Sequence, residues 1–142
     1  DFVSCFDIRI HQVSDGVLMS SPLLVEAKHN EHMPMDQNGL WRSFSYRIKA
    51  KDKYIVYSGD ISSIEELGSW KDTCHILMME TGHHCPIEVC KYLEKENAKV
   101  EKLLFVHHGR TILFNEEETL QKCQEATKIP VEFAQDKMVI SC

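Results

Sequence analysis

Residues 54–60 read Tyr-Ile-Val-Tyr-Ser-Gly-Asp. Four apolar or aromatic side chains in a row predict a buried strand, and Ser58-Gly59 turns the chain so that a carboxylate, Asp60, stands at the strand's end. On the N-terminal side, Arg42 to Ala50 alternates, with Phe44, Tyr46 and Ile48 on one face and Ser45 and Arg47 on the other. Lys51-Asp52-Lys53 between the two runs makes them a hairpin. Lys28 to Leu40 is polar, with His29, His32, Pro34 and Gly39, and reads as a surface loop. Val17 to Met19 and Leu23 to Ala27 are two short strands split by Ser20, Ser21 and Pro22. Phe2, Val3, Phe6, Ile8 and Ile10 suggest one more before them. A chain that opens inside a strand, on Asp1 rather than Met, is expected to be a piece of something longer.

On the C-terminal side the period changes. Ser62 to Trp70 predicts a short helix capped by Ser62, with Glu65 three residues on. Cys74 to Met79 is a buried strand that ends in Glu80-Thr81-Gly82-His83-His84. Pro86 starts a helix with Val89, Cys90 and Leu93 as its apolar stripe. Lys102 to Val106 is again an apolar strand, running into His107-His108-Gly109-Arg110. Asn115, followed by Glu116, Glu117 and Glu118, caps another helix with acids where the dipole favours them. Val131 to Ala134 and Met138 to Ile140 close as a strand pair. The order is antiparallel strands, then strand-helix units, then a hairpin, so residues 1–142 form one layered α/β unit with a mixed sheet.

The 142 residues are 43% hydrophobic and 27% charged, ordinary for a globular chain. A formal charge of -6 argues against a general polyanion binder, which relies on Lys and Arg to neutralise phosphates. No apolar run approaches the roughly 20 residues that span a bilayer. The six cysteines contain no C-x-x-C pair, which rules out a zinc ribbon and favours a reduced, cytosolic protein.

Three polar clusters each follow a buried strand: Ser58-Gly59-Asp60, Glu80 to His84, and His107 to Arg110. In layered α/β folds ligands gather at the C-terminal strand ends, because rigid strands aim loop residues at a shared crevice. A carboxylate and several imidazoles converging there suit a zinc site. Each cluster also has a plainer reading as a turn acid or a solvated histidine, and His29, His32, His11 and His75 are given that one. Cys85, beside His84, offers a competing thiol nucleophile. Composition and spacing alone stop at a metal or hydrolytic site.

The run Tyr54 to Asp60 resembles the strand and turn of the metallo-β-lactamase superfamily that carries a metal-bridging Asp. Gly82-His83-His84 before Pro86 is similar to the Gly-His segment of its ribonuclease Z-like branch. Leu103 to His107 resembles the late strand ending in Thr-His, with Val106 in the Thr place. Gln124 to Ala126 and Val131 through Asp136-Lys137-Met138 to Ile140 resemble the closing helix and Asp-Gly-Met hairpin, with Lys137 where Gly is usual. The likeness runs from about Leu23 to Ile140.

The resemblance implies the C-terminal half of a four-layered αββα sandwich, with helices on one face of its sheet. It implies that Asp60 bridges two metals, zinc or alternatively manganese or iron, and that His107 ligates one. His83 would act as acid/base, with His84 the alternative, and Arg110 would hold a phosphate oxygen. The lowered pKa of a metal-bridging water would supply hydroxide for attack on a phosphodiester or ester. A small substrate is favoured over nucleic acid. The signature His-x-His-x-Asp-His is absent, and no counterpart of the His that follows it in the family is assigned. Activity would therefore need an N-terminal half or a second copy, and a half-fold is expected to form homodimers. The competing reading is a non-catalytic binding module on the same scaffold.

Overall fold

A computed structural model describes residues 11–140, so the strand expected before His11 lies outside the described residues. Seven strands form one sheet in chain order: β1 (Gly16–Met19), β2 (Leu24–His29), β3 (Phe44–Ala50), β4 (Lys53–Tyr57), β5 (Cys74–Glu80), β6 (Val100–Val106) and β7 (Val131–Phe133). β1 to β4 are antiparallel neighbours, and β4 to β7 are parallel. Parallel neighbours need crossovers, and each crossover carries helix. A 3-10 helix (Ile64–Asp72) joins β4 to β5, α1 (Pro86–Lys95) joins β5 to β6, and α2 (Arg110–Phe114) with α3 (Glu116–Ala126) joins β6 to β7.

Register sorts the side chains onto two faces. Val56, Leu77, Leu103 and Val131 are aligned across β4 to β7. They pack in one core with Ile61, Ile64 and Leu67 of the first crossover, Val89 and Leu93 of α1, Ile112 of α2 and Cys123 of α3. All the helices therefore lie on one face. A fully buried leucine such as Leu103 contributes on the order of 2 kcal/mol by leaving water. The opposite face carries Val25, Ile48, Ile55 and Ile76 in one row, and Ala27, Tyr46, Tyr57, Met78 and Leu104 in the next. None of these joins the helix-side core, and Tyr57 is 37% exposed. The sheet thus has a second apolar face on which none of these helices packs.

Local differences from the expected elements have physical causes. The capping box falls one residue later, on Ser63 and Glu66. Glu66 is the acid that the neighbouring loop engages: its Oε2 accepts the Glu31 N–H at 2.7 Å and its Oε1 the Ser63 N–H at 2.9 Å. Gly68, at φ +54, kinks this segment and keeps it from becoming one regular helix. β2 runs on to His29, whose Nδ1 meets Asp15 at 2.6 Å and whose ring stacks on Trp41. Asn115 makes no side-chain cap, although its carbonyl accepts the Thr119 N–H at 2.9 Å. The closing hairpin has one arm only. After β7 the chain turns through Lys137 at φ 66, and Met138 to Ile140 is not a strand, leaving Val139 89% exposed. A three-residue edge strand offers little for a returning arm to pair with.

Candidate metal centre

The ends of β4, β5 and β6 converge at one edge of the sheet. Ser58 N–H, just past β4, still bonds to Met78 O at 2.9 Å, and Gly59 then turns at φ +61. A Cβ on Gly59 would lie 2.4 Å from Phe44 O, so only glycine lets the chain pass β3 and deliver Asp60. Glu80 is the last residue of β5 and is fully buried. Its Oε2 accepts the His83 N–H at 2.9 Å, while its Oε1 faces His83 Nδ1 at 3.2 Å and His84 Nε2 at 3.5 Å. His107 follows β6 in the left-handed region, at φ 48, unfavourable for a residue with a Cβ. That backbone places its Nδ1 2.7 Å from Asp60 Oδ1.

One donor atom each from Asp60, Glu80, His83 and His107 lies within 4.8 Å of all the others. Two carboxylates and two imidazoles are a nitrogen and oxygen set that suits zinc, manganese or iron. Among the described residues no lysine or arginine pairs with Asp60 or Glu80. A bound cation would offset the cost of burying a charged carboxylate there. The negative field also reaches Tyr57, whose phenol is pushed above its usual range by burial, then by the charges of Asp60 and Glu80. The residues fit a metal ion.

Asp60, His83 and His107 are therefore brought together, the His83 and His107 ring centroids standing 5.8 Å apart. His84 is held beside them, its Nε2 2.8 Å from Ile61 O, and is not in the four-residue group. Arg110 is exposed at the start of α2 and lines a cavity of about 540 Å³ with His83, His84 and His107. Two residues were given no role by sequence reasoning. Glu80 had a signal, an acid ending a buried strand. His32, read as a surface-loop residue, packs its ring 4.6 Å from that of His83. Only the fold brings that loop to the site. Cys85 is exposed before α1, and among the described residues no imidazole is hydrogen-bonded to its thiol.

No family model matches the sequence, and no curated protein matches it. Solved structures do. The metallo-β-lactamase fold protein YhfI from Bacillus subtilis superposes with a TM-score of 0.70 at 13% identity, covering 93% of this chain and 55% of YhfI. A protein from Parabacteroides distasonis ATCC 8503, proposed as a metal-dependent hydrolase, gives 0.55 at 15% identity, covering 85% of this chain and 56% of its own. At such identities the likeness is one of fold: a mixed sheet with helices on one face, matching part of the metallo-β-lactamase fold. The chain spans a little over half the length of these structures. Among the described residues no helix is long and apolar enough to cross a membrane.

Proposed function

We propose that this chain is half of a cytoplasmic metal-dependent hydrolase acting on small phosphodiesters or esters, and that the strand-end cluster is its contribution to the active site. The observation that carries the proposal is the convergence of donor atoms from Asp60, Glu80, His83 and His107 within 4.8 Å. The fold shared with a protein proposed as a metal-dependent hydrolase supports it.

Asp60 and His107 would hold the metal, their donor atoms already adjacent. When bound, zinc, manganese or iron supplies a lowered pKa for water and stabilises developing negative charge. His83 would give a proton to the leaving group, since imidazole as a side chain exchanges protons near neutral pH. Glu80, buried behind it, fixes the ring through Nδ1 and the backbone N–H. His84 shares the same carboxylate and is the alternative donor. His32, against His83, is the nearest further imidazole. Arg110 at the rim of the cavity suits a phosphate oxygen, because a guanidinium offers a planar fork of donors.

Zinc sites take three or four protein ligands per metal, so a two-metal centre needs more donors than this cluster offers. They would come with whatever covers the second apolar face, an N-terminal half or a second copy of the chain. Metal analysis of the chain purified without chelator tests the reading, followed by loading with zinc, manganese or iron(II). The expected outcome is close to one bound metal per chain, with cleavage of bis(p-nitrophenyl) phosphate appearing once the remaining donors are supplied. A chain that takes up none of the three metals would overturn the reading and leave a non-catalytic scaffold.

A further inference from the structure

A line of buried polar side chains links the loops that carry the candidate ligands. Asn30, Ser45, Ser58 and Glu80 are 1%, 2%, 0% and 0% exposed, and they are four of the seven buried polar or charged residues described. The His32 N–H donates to Asn30 Oδ1 at 3.2 Å, and Asn30 Nδ2 donates to Ser45 Oγ at 3.3 Å. Ser45 Oγ donates to Ser58 O at 2.6 Å. Ser58 Oγ donates to Gly59 O at 2.7 Å and accepts the Glu80 N–H at 3.0 Å. Ser43 runs alongside: its carbonyl accepts the Asn30 N–H at 3.0 Å and its hydroxyl donates to Asp60 O at 3.1 Å. The Ser45 and Ser58 hydroxyls each donate and accept, and the runs that start at the His32 and Glu80 amides both point inward and meet at Ser58.

We infer that Asn30, Ser45 and Ser58 are positioning residues that lock the His32 loop, the Asp60 turn and the end of β5 at Glu80 into one register. The inference rests on reading the cluster as a metal centre. Burying polar atoms is costly unless all are satisfied, and a fully satisfied network in a low dielectric specifies one arrangement. The helix-side core beside these two serines is apolar, so their hydroxyls find partners only along this line. Gly59 lies beside the same line: an added Cβ there would be 3.8 Å from Asn30 Nδ2, so the turn that aims Asp60 passes close to the asparagine that holds His32. Metal centres depend on such outer partners, whose loss costs roughly 10- to 100-fold in affinity.

Ser45 touches neither end of the line, which makes Ser45→Ala the informative change. Amide hydrogen exchange on the metal-free chain reads the coupling, and cobalt(II) titration reads the site. Ser45→Ala is expected to speed exchange of both the His32 and Glu80 amides by about tenfold, and to weaken cobalt(II) binding about 10- to 100-fold. Ser45→Thr, which keeps the hydroxyl, should restore both, and Ser58→Ala gives a second cut in the same line. Thr119→Ala is the control, because Thr119 is equally buried but bonds to Thr111 O in the helical layer. Unchanged protection of the two amides in Ser45→Ala, or equal effects from Thr119→Ala, would overturn the inference. A wild-type chain that binds no cobalt(II) would instead remove the metal reading, while the two amides still decide whether the line couples the loops.

Discussion

His107 Nδ1 and Asp60 Oδ1 stand 2.7 Å apart although 47 residues separate them in the chain. Both side chains are partly open, at 51% and 37% exposure, so burial does not force the contact. It is held by two backbone devices, the left-handed φ of His107 and the glycine turn before Asp60. A pair this exposed is worth about 0–1 kcal/mol even when both members are charged, so replacing either member should leave folding nearly unchanged. Asp60→Asn and His107→Ala should each weaken zinc binding by at least about 100-fold, more than the loss of an outer partner. Calorimetric titration with zinc beside thermal melts checks this, and equal zinc affinity in either variant would contradict it.

Two glycines near this pair should separate stability from binding. A Cβ on Gly109 would sit 2.3 Å from the backbone carbonyl of Thr81, which cannot swing away. Gly109→Ala should therefore cost about 1–3 kcal/mol as backbone overpacking. A Cβ on Gly82 would instead meet the His107 ring at 2.9 Å, a side chain that can move. Gly82→Ala should melt near the wild-type temperature yet lose zinc affinity. Urea unfolding and zinc titration on both variants distinguish the two, and the opposite ranking would put the rigid contact at Gly82 instead of Gly109.

The sheet and its crossovers were legible because apolar runs at 54–57, 74–79 and 102–106 each end in a polar cluster. Strand ends are where such clusters gather, and the family resemblance singled out Asp60, His83 and His107 among them, three residues the fold brings together. His32 was not singled out. Its ring meets His83 directly and its loop is tied through Asn30 and Ser45 to Ser58, tertiary contacts that leave no periodic trace. Glu80 was in view but unassigned, because its burial and its two histidine partners appear only once β5 is flanked by β4 and β6. The one-residue slip of the capping box has the same origin: Glu66 is chosen by Glu31, a contact across 35 residues.

Lys137 occupies a left-handed position, φ 66, in the turn after β7, and it is exposed. For a residue with a Cβ that conformation costs about 1–2 kcal/mol, part of which glycine returns as unfolded-chain entropy. Lys137→Gly should raise stability by up to about 1 kcal/mol without touching the metal site. Chemical denaturation with an unchanged m-value is the check, and a loss of stability would mean that the lysine side chain makes a contact worth more than the strain.

Thiol reactivity should divide the described cysteines sharply. Burial pushes the Cys74 thiol up to about 12. The hydrogen bond with Cys123 and then burial push Cys90 above its usual range. Cys85 is exposed. Among these four, iodoacetamide at neutral pH should therefore modify Cys85 first in the native chain and spare the buried Cys74, Cys90 and Cys123, as peptide mapping would show. Cys85→Ala should leave zinc affinity unchanged, since Cys85 is not among the clustered donors. A large loss of affinity would return the thiol to the site.

Glu94, near the end of α1, ties that helix to the segment after α3. Its Oε2 accepts the Lys128 N–H at 2.9 Å and the Thr127 hydroxyl at 3.0 Å. The Lys128 backbone bond first, then the Thr127 hydroxyl, hold its carboxyl below the usual 4.5. A carboxyl whose folded value is depressed stabilises the fold above its unfolded value and loses that contribution as pH falls through the folded one. Glu94→Gln should therefore be less stable than wild type at pH 7, and the gap should close as pH drops below about 4.5. Paired urea melts from pH 7 to pH 3 test the sign. A gap that widened on acidification would mean that the carboxylate is strained rather than held by its two donors.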